Sequence, residues 1–447
     1  MKLRPHFVAA CAAVAVLVAA TPGSAQTQTD PTQPGGPFQG LFGGNQANPR
    51  ARQALNFTFS AFVNYEDNDI AAPGEDVIQQ ISPLMTQTGV YIGGMTSLEY
   101  NKRWRRASFS AVGGTSARYY PDYQEFTRIR DWGTVAFTYA FGPKTTLNAS
   151  QSAWYSEYFM NGWFPGMNPT VPGQPITPGF DNYTYRRPNW QLNTAIDFTR
   201  RLTQASSFSA YGFLTYIDFL KQQYTPGATY YTGQLSLRYQ HSLTKELSLR
   251  AGYSFNRWRH GLIFIPDEHT RGDNIELGLD YEKTLEVAGR RTSIGATGGA
   301  TYITFQEDTY YTYLVHAYMT SMLSRRWFAN LAYDRQFSFV EGLVAPYATD
   351  SLTANIGGYL SRRWNVNFSG GYTHGVGVAT TMGRTYGAWT GIGQLQVALT
   401  EQIALFGQGY FYHFDFTGEY PYSPLPTRQW DRWGVRGGVT FWVPILQ

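Results

Sequence analysis

Alternation of apolar and polar residues is the dominant pattern along this chain, and it is clearest around a five-residue repeat. The sequence Leu-Ser-Arg-Arg-Trp occurs at residues 323–327 and again at residues 360–364. After the second copy, apolar side chains occupy alternate positions beginning with Val366 and Phe368, and polar side chains occupy the positions between them. The same alternation precedes the copy. The pattern therefore predicts a β-hairpin with a short basic turn that carries a Trp.

Weaker versions of this hairpin recur from about residue 54 to residue 443 and predict about 18 strands, with 16 as the alternative count. One set of connections is short and often basic, and the other set is longer. Only one face of each strand is apolar, and a soluble sheet such as a β-propeller blade would bury both faces. In a membrane, lipid covers the apolar face of a sheet, and closure of the sheet into a barrel leaves no unpaired edge strand. We therefore predict an all-β fold, an antiparallel up-and-down transmembrane β-barrel with short periplasmic turns.

The first 25 residues have the features of a secretory signal peptide. Basic residues precede an apolar core over residues 7–20, and small residues at positions 23–25 provide a cleavage site. The next segment is rich in Gln, Thr, Pro and Gly and cannot bury enough apolar area to become ordered. The predicted divisions are a cleaved signal peptide (1–25), a disordered periplasmic segment (26–53) and the transmembrane β-barrel (54–447).

Composition agrees with a barrel and argues against other classes. Charged residues make up 15% of the chain and aromatic residues 17%, whereas an average soluble domain has roughly 25% charged residues. The net charge of +4 is too small to indicate a nucleic-acid partner. The single cysteine, Cys11, lies in the predicted signal peptide, so the mature chain would have no thiol, which fits an envelope compartment.

The last predicted strand carries a spaced set of residues with a family resemblance. The set is Arg436, Gly438, Phe441 and Val443. It resembles the assembly signal of Gram-negative outer-membrane β-barrel proteins, which implies a bacterial outer-membrane location and recognition by the barrel-assembly machinery. Family members usually end on the terminal aromatic residue, whereas residues 444–447 follow here. Phe441 and Val443 are also what any lipid-facing strand would contain.

The short turns concentrate basic residues next to Trp. Trp104, Trp327 and Trp364 are predicted membrane-interface anchors, because indole rings favour the boundary between lipid and water. The adjacent Lys and Arg side chains are either solvated turn residues or contacts for anionic lipid headgroups. Outer-membrane lipid is therefore an expected partner.

The polar strand face predicts a hydrated lumen with charges of both signs. The charged pore-lining candidates are Asp197, Arg238, Arg250, Glu276, Asp280, Glu282, Asp334 and Arg436. Opposed basic and acidic side chains would set up a transverse field that filters solutes by charge. The alternative is that these charges pair across neighbouring strands and only fill the wall.

A segment over residues 159–187 contains several Pro and Gly residues and is predicted not to be strand. It resembles in position the constriction loop of general porins, since it follows the fifth predicted strand. Trp163 and Phe164 would then fold inward and narrow the pore, although an outward loop fits the sequence equally well.

Three functions are compatible with these features, and a passive, porin-like channel for small polar solutes is preferred. A dedicated exporter, similar in size to barrels that export exopolysaccharides such as alginate, should have a uniformly charged lumen, unlike the mixed charges here. The third compatible function is that of a structural or surface barrel whose lumen is plugged by its loops. An enzyme is not expected, because the His residues are scattered and Asp267, Glu268 and His269 are the nearest candidate cluster. No metal or cofactor is expected, and general porins are often trimers, but no oligomer interface can be recognised in the sequence.

Overall fold

The computed structural model contains a closed ring of 18 antiparallel strands. The residues that the structure describes are 52–70, 88–123, 125–160, 183–220, 228–260, 268–287, 290–305, 308–324, 326–339, 346–377, 385–417 and 429–446. Each strand pairs with the strands that precede and follow it in sequence, and β1 pairs with β18. The predicted all-β, up-and-down architecture and the count of 18 are confirmed.

The strands are long, between 13 and 20 residues. Crossing the hydrocarbon layer takes about 9–11 residues, so the strands extend beyond it. In chain order they are β1 (Gln53–Ile70), β2 (Gly89–Arg103), β3 (Ala107–Tyr120), β4 (Glu125–Gly142), β5 (Thr145–Met160), β6 (Tyr183–Arg201), β7 (Ser206–Phe219), β8 (Ala228–Ser242), β9 (Leu247–His260), β10 (Glu268–Val287), β11 (Arg290–Phe305), β12 (Asp308–Ser321), β13 (Trp327–Phe339), β14 (Pro346–Tyr359), β15 (Trp364–Gly377), β16 (Thr385–Ala398), β17 (Ile403–Thr417) and β18 (Gln429–Leu446).

Apolar side chains cover the outer face of the ring. Leu277, Tyr311 and Val435 are 71%, 79% and 56% exposed, respectively, and they alternate with side chains that point inward. In water such exposure would be costly, whereas lipid surrounds these side chains with apolar groups. No helix in the described part of the chain is long and apolar enough to cross a membrane.

The two copies of the repeated pentapeptide form equivalent short turns. In one, the Leu360 amide donates to the Trp364 carbonyl, and the Ser361 hydroxyl accepts from the Arg363 amide at 3.2 Å. In the other, the Ser324 hydroxyl accepts from the Arg326 amide at 3.1 Å. The serine therefore completes the turn, and the repeat marks one end of the barrel.

Aromatic side chains on the outer face are tied to carboxylates near the opposite end. Tyr253 donates to Asp273 at 2.5 Å and Tyr333 donates to Asp350 at 2.6 Å, in each case on the next strand. Such bonds hold the polar tip of an interfacial aromatic ring on the water side.

Two predicted boundaries are wrong. Residues 159–187 were expected to contain no strand, but β5 continues to Met160 and β6 begins at Tyr183; register shifts after Ser156 and Phe159 keep these ends paired. The last strand does not end at Val443, because Pro444 and Leu446 still pair with β1 beside a register shift at Leu55. A bulge of this kind accommodates a proline that cannot donate a hydrogen bond.

Candidate functional site

The inner face of the ring contains every charged candidate whose side chain the structure describes. By register, Asp197 (β6), Arg238 (β8), Arg250 (β9), Asp280 and Glu282 (β10), Asp334 (β13) and Arg436 (β18) all alternate with outward apolar residues. Position 276 falls in the same row as these inward residues, directly opposite Gly252. Strand alternation therefore assigns all of these positions to the lumen side.

The wall formed by β8–β10 brings the predicted basic and acidic residues together. Arg250 Nε lies 3.5 Å from the Asp280 carboxylate, and Thr297 donates a 2.9 Å hydrogen bond to the same group. Arg238 lies opposite Gly252, which in turn lies opposite position 276. Cross-strand pairing of charges, one of the two interpretations of the sequence, therefore holds for Arg250 and Asp280.

A second pair extends this wall to β12 and β13. His316 Nδ1 hydrogen bonds to the Asp334 carboxylate, and the two side chains are 32% and 39% exposed. His316 was not among the sequence candidates, although its place between outward Val315 and Ala317 was a usable signal. The wall from β8 to β13 thus presents partly solvated charges of both signs.

Asp197 differs from these residues because it is nearly buried, at 8% exposure. It accepts hydrogen bonds from Asn148 Nδ2 at 3.1 Å and from the Thr199 hydroxyl at 3.2 Å. A carboxylate satisfied in this way contributes to the structure of the wall more than to its solvated surface.

The opposite wall, around the β18–β1 closure, contains a buried charge cluster that the sequence did not reveal. Arg432 Nη2 donates to the Glu66 carboxylate at 2.6 Å, and these side chains are 4% and 3% exposed. Tyr410 donates to the same carboxylate at 3.0 Å and accepts from Asn64 Nδ2 at 3.0 Å. Arg436, a predicted lining residue, is 2% exposed and donates through Nε to Gln408 at 2.6 Å.

Aromatic rings pack around this cluster and thicken the wall. Arg118 stacks 4.3 Å above the Tyr91 ring, and Arg436 lies 5.6 Å from Phe62 and 5.3 Å from Tyr410. A guanidinium over an aromatic face gains electrostatic attraction without water. The expectation that the inner face would be polar is therefore wrong along β17, where aromatic residues point inward as well as outward. The visible signal was the run of aromatic residues in the inward row of this strand, at Phe406, Tyr410, Tyr412, Phe414 and Phe416.

The two walls differ in charge and exposure and lie across the ring from one another. β10 is nine strands from β1 in either direction around the ring. The closure wall holds Arg118, Arg432 and Arg436 against Glu66, all buried. Among the described residues, no cluster of His, Cys, Asp or Glu suited to holding a metal ion is found.

The predicted interface anchors lie at the short-turn end. Trp104 follows β2 and is 48% exposed, Trp327 begins β13, and Trp364 begins β15 and is 43% exposed. The constriction candidates Trp163 and Phe164 lie outside the described residues, as does Asp267 of the candidate catalytic cluster.

The residues of the assembly resemblance divide between the two faces of β18. Arg436 and Gly438 point inward opposite Asn64 and Phe62, whereas Phe441 points outward, with its ring 6.2 Å from that of Phe59. Val443 is also outward and is 44% exposed.

No protein-family model matches the chain. No curated protein matches it. Among solved structures it is similar to Pseudomonas aeruginosa OpdQ, with 11% identity over 88% of this chain and 98% of that chain and a TM-score of 0.43. It is similar to P. aeruginosa OccK2 (OpdF) in complex with glucuronate, with 9% identity over 88% of this chain and 98% of that chain and a TM-score of 0.44. It is also similar to Acinetobacter baumannii OccAB4, with 11% identity over 89% of this chain and 100% of that chain and a TM-score of 0.41.

The fold is defined by the strand order and by the two faces of the ring. A closed ring of 18 antiparallel strands with an apolar outer face is the architecture of bacterial outer-membrane proteins. The described part of the chain is therefore a transmembrane β-barrel of this architecture.

Proposed function

We propose that this barrel is a porin-like channel for passive diffusion of small polar solutes across the outer membrane. The observation that carries the proposal is the partly solvated charged wall on β8–β13, where Asp334 and His316 are 39% and 32% exposed inside a closed ring. Rings of 16–18 strands are wide enough to leave an aqueous channel. Solvated charges are stable on an inner face only where water reaches them.

The charge arrangement supports a solute filter. The buried basic cluster at the closure and the acidic residues Asp280, Glu282 and Asp334 on the other wall would create a transverse field in the lumen. An exopolysaccharide exporter would favour a lumen of one charge sign, and the described inner face has both. The packed aromatic wall favours a channel narrower than the ring itself.

We further propose roles for the two ends of the chain and for the connection after the fifth strand. Residues 1–25 act as a signal peptide, residues 26–53 form a periplasmic segment, and the barrel-assembly machinery recognises β18 through Arg436, Gly438, Phe441 and Val443. The place of Trp163 and Phe164 in the sequence, in the connection after the fifth strand, makes them the candidates for a constriction, with an outward loop as the alternative. These assignments rest on the sequence patterns and on the outward position of Phe441 and Val443 in β18.

Planar-bilayer recording on the purified, refolded protein tests the channel. We expect discrete conductance steps that are absent when heat-denatured protein is added instead. A complementary liposome-swelling assay with neutral sugars of increasing size should show a cut-off. Folded barrels that give neither conductance nor swelling would exclude the open channel and favour the plugged barrel.

A further inference from the structure

The outer surface of β2–β5 contains a groove with a volume of about 580 Å³. Its floor is a row of register partners on β3, β4 and β5, namely Gly113, Gly133 and Ala153. Leu98 and Val135 stand beside this row and are 46% and 38% exposed. Small residues flanked by larger apolar ones create a recess on a surface that faces lipid.

The groove lining is suited to hydrocarbon. Apolar side chains form nearly all of it, and the polar side chain of Gln151 at its edge accepts a 2.6 Å hydrogen bond from Thr194. Because Gln151 has a partner within the barrel, it does not require a polar ligand.

A basic turn lies directly below the groove, at the short-turn end of the same strands. Lys102 belongs to the outward row that contains Tyr100, and its ammonium lies 5.3 Å from the Trp104 ring. Arg105 and Arg106 are exposed in the turn that follows. The turn thus places several cations at the level where lipid headgroups begin.

The neighbouring short turns reinforce this positive charge. The Ala140 amide donates to the Arg106 carbonyl, and the Arg201 amide donates to the Lys144 carbonyl, both at 2.8 Å. These bonds fix the turns of β2–β3, β4–β5 and β6–β7 side by side. The turns contain no Asp or Glu, whereas the turns after β8 and β16 carry Glu246 and Glu401.

The distance from the basic turn to the groove, measured across the membrane, matches the thickness of one lipid leaflet. From Arg106 to Gly113 the strand rises about 23 Å along its axis, which corresponds to a depth of about 17 Å at the usual tilt of a transmembrane strand. One leaflet of the hydrocarbon core is about 15 Å thick. A phosphate at the basic turn therefore allows an attached acyl chain to reach the groove.

We propose that this surface binds one anionic phospholipid of the inner leaflet. The phosphate lies on Lys102, Arg105 and Arg106, and one acyl chain occupies the groove over Gly113 and Gly133. Binding of this kind requires the barrel in its membrane but does not require conduction, so it stands whether or not the lumen is open.

Native mass spectrometry of the purified barrel in nonionic detergent tests the proposal. Dioleoyl-phosphatidylglycerol and dioleoyl-phosphatidylcholine are added separately, and retained lipids are counted. The wild-type barrel should retain one phosphatidylglycerol in preference to phosphatidylcholine. The double variant R105A/R106A should bind phosphatidylglycerol about thirtyfold more weakly, since each surface cation contributes about fivefold.

A second variant tests the groove independently. At Gly133 an added Cβ would meet its nearest atom only at 3.8 Å, so Gly133→Leu fills the groove without disturbing the backbone, and it should abolish retention. Matched controls are Gly391→Leu on β16, where no atom lies within 4 Å of an added Cβ, and R362A/R363A, which removes two arginines from another short turn. Both should bind as the wild type does.

Two results would overturn the proposal. Equal retention of the two lipids by all five proteins would mean that only non-specific annular lipid is present. Loss of a dimer in Gly133→Leu, with lipid retention unchanged, would mean that the groove holds a second copy of the chain.

Discussion

The Glu66 carboxylate on the first strand lies 2.6 Å from Nη2 of Arg432 on the last strand, inside the barrel and away from solvent. The pair exists only when β1 and β18 meet. A buried ion pair of this kind is costly to break, because the remaining charge loses its partner in a region of low dielectric.

Glu66→Gln should therefore destabilise the closed barrel by about 3–5 kcal/mol. The measurement is the free energy of unfolding from reversible urea titration in lipid vesicles. Arg271→Gln is the control: its ion pair with Asp273 is as short, at 2.7 Å, but Arg271 is 64% exposed on the outer face. That change should leave the free energy of unfolding close to that of the wild type, because water screens an exposed ion pair. Equal effects of the two substitutions would contradict a closure role for Glu66.

A disulfide across the closure should form spontaneously between residues 60 and 440. Ser60 and Thr440 are register partners whose hydroxyl oxygens lie 2.9 Å apart, and directly paired strand residues are within disulfide range. The double variant Ser60→Cys/Thr440→Cys should become oxidised only when folded, and non-reducing electrophoresis of denatured protein would show the cyclic species. Thr58→Cys/Thr440→Cys, displaced by one inward position, should oxidise poorly. Similar yields from both variants would mean that the register is wrong.

Gly438 is required by the close approach of β18 to β1. A Cβ at this position would overlap the Ala61 carbonyl oxygen and lie 2.8 Å from Cα of Phe62. Gly438→Ala should therefore destabilise the barrel by about 1–3 kcal/mol. Gly437→Ala is the matched control, because its added Cβ meets its nearest atom at 3.7 Å.

The measurement for this glycine pair is the folded fraction after refolding in pure detergent, read from the heat-dependent shift in electrophoretic mobility. Because no assembly machinery is present, a defect confined to Gly438→Ala would identify packing as the reason for this glycine. Normal refolding of Gly438→Ala, with poor assembly only in cells, would instead favour recognition of the C-terminal strand.

Charge on the exposed inner wall should set ion selectivity. Replacing Glu282 and Asp334 by Gln and Asn removes two inward negative charges, so the reversal potential in a KCl gradient should shift toward anion preference. The shift should be clear near 0.1 M salt and nearly vanish near 1 M, where the screening length falls from about 10 Å to about 3 Å. Asp131→Asn, on the outer face beside Thr115, should leave selectivity unchanged. An equally large shift of the reversal potential in Asp131→Asn would show that the lumen charges are not the origin of the selectivity.

Much of this architecture follows from the sequence because the determining signal is local. A period of two along each strand separates lipid-facing from lumen-facing positions, and the basic turns at residues 323–327 and 360–364 mark the short-turn end. The number of strands, their orientation and the inward position of Arg250 and Asp280 can be predicted from this alternation and these turns alone. The strand ends at Met160, Tyr183 and Leu446 were missed because pairing with a neighbour, including register shifts, extends strands past residues that discourage them.

The sequence by itself determined that the chain forms a two-faced, closed antiparallel barrel, since lipid on one side and polar residues on the other leave no different arrangement for a period-two pattern. Only the tertiary structure decided that Glu66 meets Arg432 and that Arg436 is buried against Phe62 rather than exposed in the lumen. Those contacts join residues that are more than 300 positions apart, and they depend on which strands close the ring. Alternation along a strand predicts the face on which a side chain lies, but the residues that this side chain contacts depend on how the ring closes.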